Sequence, residues 1–258
     1  MRYKIWVTFV LACLFFPIML TFLYSIATAW HSTILPEGFT FKWYEMLFSD
    51  IAFTQSLFRT LTISAVSVLF SMSIMIPTIY IVMVYFPNWQ KVLNSLVLLP
   101  YAIPGVINAV GLIRIYSQPP FMISGTVYLL VAAYFIIVLP FIYQGITSSL
   151  RNINVREIVS AAEMLGASKV QAFTQVVIPN IISGVLVSSL LSFSILCGEF
   201  VMTNFIVGGR YETVQIYLRR VMSTSGHLSS AIVISYFIFI LIVTSTAIKL
   251  SKGRKQTK

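Results

Sequence analysis

A chain of 258 residues of which 58% are hydrophobic and only 9% charged cannot dress itself in polar surface, since soluble domains carry about 25% charged residues. The formal charge of +10 does not point to nucleic acid. The basic residues gather at the ends of apolar runs and in the tail Lys249, Lys252, Arg254, Lys255 and Lys258, where they report the positive-inside bias and contact with anionic lipid.

A bilayer core of about 30 Å needs about 20 apolar residues per helix. Six stretches are predicted to meet that need, at residues 5–29, 60–85, 92–113, 126–146, 181–207 and 229–248. The reading is an all-α polytopic membrane protein with a single transmembrane domain over residues 1–258. The first run follows Arg2 and Lys4 and ends in Ala27-Thr28-Ala29, which imitates a signal-peptide cleavage site. It exceeds the 7–15 residues or so of a signal h-region and is read as a retained span.

Trp30 to Phe58 is polar and reads as an external loop with a short amphipathic helix. The second span is interrupted by Pro77 and followed by a tight turn, Phe86 to Lys91. The third contains Pro100, Pro104, Gly105 and Gly111 and ends at Arg114. Proline frees backbone groups that are tolerated at membrane depth only against protein or a water-filled cavity. Pro100, Pro104 and Gly105 are therefore candidates to line a translocation path, with a packing kink as the alternative. The fourth span carries Pro140.

The fifth span holds Glu199, the sole carboxylate inside a predicted span, and intramembrane ionisable residues are functional hypotheses by default. It either lines a path, pairs with Arg114 or Arg59, meets a second subunit, or is a hydrogen-bonded structural carboxylate. The loop beyond carries Arg210, Glu212, Arg219 and Arg220, a set on which a soluble binding protein can dock, or else ordinary solvated charges. Cys13 and Cys197 lie inside apolar runs and form neither a disulfide framework nor a metal spacing. His31 and His227 stand outside any His-Glu-x-x-His arrangement of a membrane metalloenzyme. Neither internal repeats nor several intramembrane charges suggest a secondary transporter.

Six spans place both termini on one side, with eleven Lys and Arg there against six opposite, so that side is predicted to be cytoplasmic. This puts residues 147–179 in the cytoplasm. Arg156 to Leu165 reads as a helix closed by Gly166, and Val170, Phe173 and Val177 as a second helix that Pro179 leads into the fifth span. Ala161 and Ala162 present small side chains that let another backbone come close.

Ser160-Ala161-Ala162, then Gly166, then Val176, Ile178 and Pro179 resemble the signature loop of ATP-driven (ABC) importer permeases: Glu-Ala-Ala, three residues, Gly, nine residues and an apolar stretch ending in Pro. The departure is Ser160, where the family has Glu; Glu157 and Glu163 flank it. The resemblance implies that Ser160, Ala161, Ala162, Glu163, Gly166, Ala167 and Pro179 belong to coupling helices seated on an ATPase. It also implies a bacterial inner-membrane importer subunit, with an ABC ATPase dimer, a second permease subunit, an external substrate-binding protein and membrane lipid as partners. The chain has no Gly-x-x-x-x-Gly-Lys-Ser/Thr loop, so ATP and Mg are expected on the ATPase, with no cofactor and no catalysis here. Gly38-Phe39-Thr40-Phe41-Lys42-Trp43-Tyr44 resembles spermidine/putrescine permeases. Gly198-Glu199-Phe200 resembles permeases for phosphonates, ferric iron and oxyanions; the resemblances imply a polyamine cargo first, with a phosphonate, ferric iron or an oxyanion as the alternative.

Overall fold

Long apolar runs without internal turn signals become helices here, and the polar interruptions become caps. The computed structural model describes residues 2–30 and 33–253, so His31 and the basic residues Arg254, Lys255 and Lys258 lie outside the described residues. In chain order the helices are α1 (Arg2–Ile26), α2 (Lys42–Ser49), α3 (Ile51–Tyr85), α4 (Gln90–Leu98), α5 (Gly105–Tyr116), α6 (Val127–Asn152) and α7 (Val155–Met164). Then come α8 (Lys169–Gln171), a π-helical stretch (Ala172–Val177), α9 (Ile178–Cys197), α10 (Val201–Ile206), α11 (Val214–Met222) and α12 (Gly226–Gly253). Among the described residues five helices are long and apolar enough to cross a membrane, and a bent pair makes a sixth if it is a single broken span rather than a re-entrant loop.

Three boundaries differ from the hydropathy reading, each for a local reason. α3 begins at Ile51 because the Asp50 carboxylate accepts from the Ala52 amide at 2.8 Å and caps the helix. The third run is not one rod: Pro87–Ala102 and Gly105–Tyr116 meet at 101°. There Asn108 Nδ2 donates to the carbonyls of Pro100 (3.0 Å) and Ile103 (3.2 Å), satisfying groups that the prolines set free. The fifth run ends as a helix at Cys197, breaks over Gly198–Phe200 and resumes as the short α10.

Contacts divide the chain into two units. One comprises residues up to Phe58 together with Thr213–Val243. Its apolar cluster gathers Leu47, Phe53, Val214, Tyr217, Val221 and Ile232. The Tyr217 hydroxyl donates to the same Asp50 carboxylate at 2.7 Å, so one side chain caps α3 and ties down α11. The His227 ring lies between those of Tyr24 and Trp43, at centroid distances of 4.1 and 5.3 Å. α1 contributes no buried residue in its most apolar window.

The other unit, Arg59–Glu212 with the residues from Thr244 on, is built around α6, whose inner face (Leu130, Tyr134, Val138, Ile142 and Ile146 among others) is fully buried. α6 and α9 approach closely at two reciprocal places. A Cβ on Gly145 would stand 2.6 Å from Ser188 Cβ, and one on Gly184 would overlap the Ser149 hydroxyl. Each serine turns its hydroxyl back to the glycine carbonyl one turn earlier, Ser149 to Gly145 at 2.8 Å and Ser188 to Gly184 at 2.6 Å. The small-x-x-x-small spacing on both helices is what lets membrane helices touch without a water-driven hydrophobic force.

Candidate functional site

The segment after α6 folds as a two-helix knob. Asn154 at φ 48° turns the chain into α7. Val155, Val159 and Ala162, at helical spacing, face inward, while Ser160, Ala161 and Glu163 are exposed. Gly166 adopts φ 90°, a conformation cheap only for glycine. Its amide donates to Glu163 at 3.0 Å and the Ala167 amide to Ala162 at 3.0 Å, the paired bonds of a Schellman stop. Ser168 and Gln171 then form a reciprocal capping box that starts α8. Pro179 sits in the first turn of α9, directly after the π stretch. With no N–H to offer, it cannot extend an α ladder from α8.

The tip of the knob carries two large apolar side chains in the open, Met164 at 84% and Leu165 at 90% exposure. Its base is fastened to the end of α3 by residues that the sequence reading passed over. Tyr85 donates its hydroxyl to Glu163 Oε1 at 3.1 Å, and Lys169 Nζ stands 4.8 Å from the Tyr85 ring centroid. Arg156 Nε donates to the Met83 carbonyl at 2.7 Å, and Phe173 packs on Tyr80 with ring centroids 4.6 Å apart. The available signal was a tyrosine at each end of the last turns of an otherwise apolar span, Tyr80 and Tyr85.

The two candidate path features meet. α5 packs along α10, and a Cβ on Gly105 would lie 3.7 Å from Val201, directly after the Glu199 break. Glu199 itself is fully engaged: Oε1 accepts from the Met202 amide (2.7 Å), and Oε2 from the Thr203 amide (3.0 Å) and hydroxyl (2.8 Å). Since that hydroxyl donates to Glu199, the Tyr134 hydroxyl 2.6 Å away must donate to it. The carboxylate thus starts α10 and links it to α6. Pro100 supplies a carbonyl to Asn108 in the neighbouring break.

The charges of the loop after the fifth run fall in two units. Arg210 and Glu212 belong to one unit, Arg219 and Arg220 to the other. Arg210 covers the turn at Gly125 (φ 75°), where a Cβ would lie 2.6 Å from Nη1. Arg220 stacks on Tyr217, its Cζ 4.9 Å from the ring centroid. Beside Arg210, Tyr211 donates to the Arg59 carbonyl at 3.4 Å. Burial pushes its hydroxyl above the ordinary tyrosine value, against the pull of the Arg59 guanidinium. The arginines 210, 219 and 220 are exposed and Glu212 is half-buried.

The family of binding-protein-dependent transport system inner membrane components matches residues 53–254. The putative 2-aminoethylphosphonate transport system permease protein PhnV of Salmonella typhimurium is 27% identical over 202 residues, 78% of this chain and 75% of that one. The spermidine/putrescine transport system permease protein PotC of Escherichia coli is 23% identical over 224 residues, 86% and 84% of the two chains. Among solved structures, a bacterial ABC transporter that imports the acidic polysaccharide alginate superposes with a TM-score of 0.71 at 17% identity, covering 96% of this chain and 94% of that one. An alginate ABC transporter in complex with an alginate pentasaccharide-bound periplasmic protein gives 0.62 at 17% identity, covering 100% and 93%. At these identities the structures share the fold.

Proposed function

The chain belongs to the family of binding-protein-dependent transport system inner membrane components, and from that premise we propose that residues 147–179 are its seat on a separate ATPase. The observation that carries the proposal is the knob itself. Its exposed apolar tip, Met164 and Leu165, is joined through Glu163 and Arg156 to the end of α3. ATP and Mg bind the ATPase dimer, and closure of that dimer moves the knob. The Tyr85 and Met83 contacts carry the displacement into α3 and the bundle. The ATPase thereby shifts the balance between inward-open and outward-open states through its differential affinity for them.

A second permease subunit completes the path, and an external binding protein delivers the cargo onto loops that include Arg210, Glu212, Arg219 and Arg220. Both termini face the cytoplasm. The relatives support two cargo classes, a phosphonate and a polyamine. The polyamine reading rests on the resemblance of Gly38–Tyr44; Glu199, engaged as a helix cap, adds no free carboxylate to it.

Affinity purification of the tagged chain from native membranes tests the assignment. An ATPase subunit is expected to copurify and to crosslink through a cysteine placed by Leu165→Cys. Recovery of the chain without any ATPase, under conditions that preserve other transporters, sinks the proposal.

A further inference from the structure

Where α6 runs out toward α7, its last turns and the first turns of α4 flank an open cavity of about 650 Å³. Gln90, Lys91 and Asn94 line it from α4, and Gln144, Thr147 and Arg151 from α6. Two of the lining residues are cations, and none is Asp or Glu. A smaller neighbour of about 340 Å³ shares Gln90 and Arg151 and adds Arg156 and Glu157, so the nearest carboxylate belongs to the adjoining space.

Three observations give the cavity a chemistry. Gln144, Ser148 and Asn152 recur every fourth residue on α6 and are exposed, although this helix is apolar enough to cross a membrane. Ser148 and Asn152 lie past the predicted span (126–146), in the segment assigned to the cytoplasm, so this polar face is open to water and to a soluble polar ligand. Thr147, a lining residue, is only 7% exposed, and its buried hydroxyl has no hydrogen-bond partner among the described residues. Such a group calls for an acceptor or donor brought from outside. Finally, a guanidinium fork, an ammonium group, four side-chain amides and the Ser148 and Thr147 side chains supply donors around a space of single-sign charge. That is the recognition set for a tetrahedral oxyanion. A polyamine would meet two like charges there and no carboxylate.

We propose that this cavity is an oxyanion site that takes a phosphate or phosphonate group. That chemistry has two sources, a phosphonate cargo and the headgroup phosphate of an anionic lipid; the cargo source rests on the permease reading given above.

The full-length chain in phosphatidylcholine nanodiscs is titrated calorimetrically with methylphosphonate, inorganic phosphate and spermidine. Saturable binding of an oxyanion is expected, weakened about tenfold or more by Arg151→Gln and by Lys91→Gln and partly restored by Arg151→Lys. Thr147→Val removes only the hydroxyl, weakens binding in the same direction, and keeps the test open should R151Q fail to insert. In a second arm, nanodiscs containing phosphatidylglycerol are delipidated and weighed intact. Phosphatidylglycerol retained by the wild type and lost from R151Q, with no soluble ligand bound, establishes the site with lipid as its ligand. Oxyanion and lipid binding unaffected by all three substitutions, or spermidine binding in their place, overturns the proposal. ATPase copurification, scored on the same preparations, reports separately on the permease reading.

Discussion

Glu199 sits where a helix stops and another begins, and all three of its hydrogen bonds run to the start of α10. Glu199→Ala leaves the Met202 and Thr203 amides without their acceptors. It is expected to cost about 1–2 kcal/mol, the magnitude of losing a capping side chain, read as a lower thermal midpoint in detergent. Glu199→Gln keeps one acceptor and is expected to lose less. If E199A abolishes transport while the thermal midpoint stays put, the carboxylate contacts cargo after all. Its isolation among apolar residues marked this residue in the sequence. Its task did not show, because a cap is defined by where the helix breaks, and hydropathy runs on unbroken from Ile195 through Ile206. Asn108 illustrates the same limit: it becomes the partner of Pro100 and Ile103 only once the chain has folded back at 101°.

Among the elements, the knob was the most legible: its stop was read at Gly166, while the Ser168–Gln171 capping box that restarts the helix, equally local chemistry, was passed over. Gly166→Ala forces a side chain into φ 90° and is expected to cost about 1 kcal/mol, with weaker ATPase recovery in pull-downs as the functional measure. Ser160 is exposed, so Ser160→Glu, which restores the family's usual residue, is expected to change stability by less than about 0.5 kcal/mol. A rise in ATPase recovery without a change in thermal midpoint would locate the contribution of that position on the partner. The fastening of the knob to α3 was not legible. Tyr85 and Glu163 lie 78 positions apart, and nothing in their local composition announces the pairing.

At the level of the whole molecule, counting basic residues on alternate loops yields a testable orientation. A cysteine introduced by Leu165→Cys is expected to react with an impermeant maleimide only after spheroplasts are opened, and one introduced by Arg219→Cys in intact spheroplasts. Equal labelling of both from outside would reverse the assigned sides. The number of crossings was read from apolar length alone, whereas the seam between α6 and α9 escaped notice. Gly145 with Ser149 and Gly184 with Ser188 look unremarkable until the two helices are laid antiparallel and each glycine receives the other helix's serine. Gly184→Ala collides with Ser149 there and is expected to cost about 1–3 kcal/mol, the usual penalty of overpacking.

That seam works like a vernier. Slide one helix past the other by a turn in one direction and Ser149 falls on Ser188; slide it a turn the other way and Gly145 falls on Gly184, a bump in the first case and a hole in the second. The two helices therefore have one register, and α6 and α9 are expected to move as a single strut, leaving any sliding within the bundle to other pairs of helices.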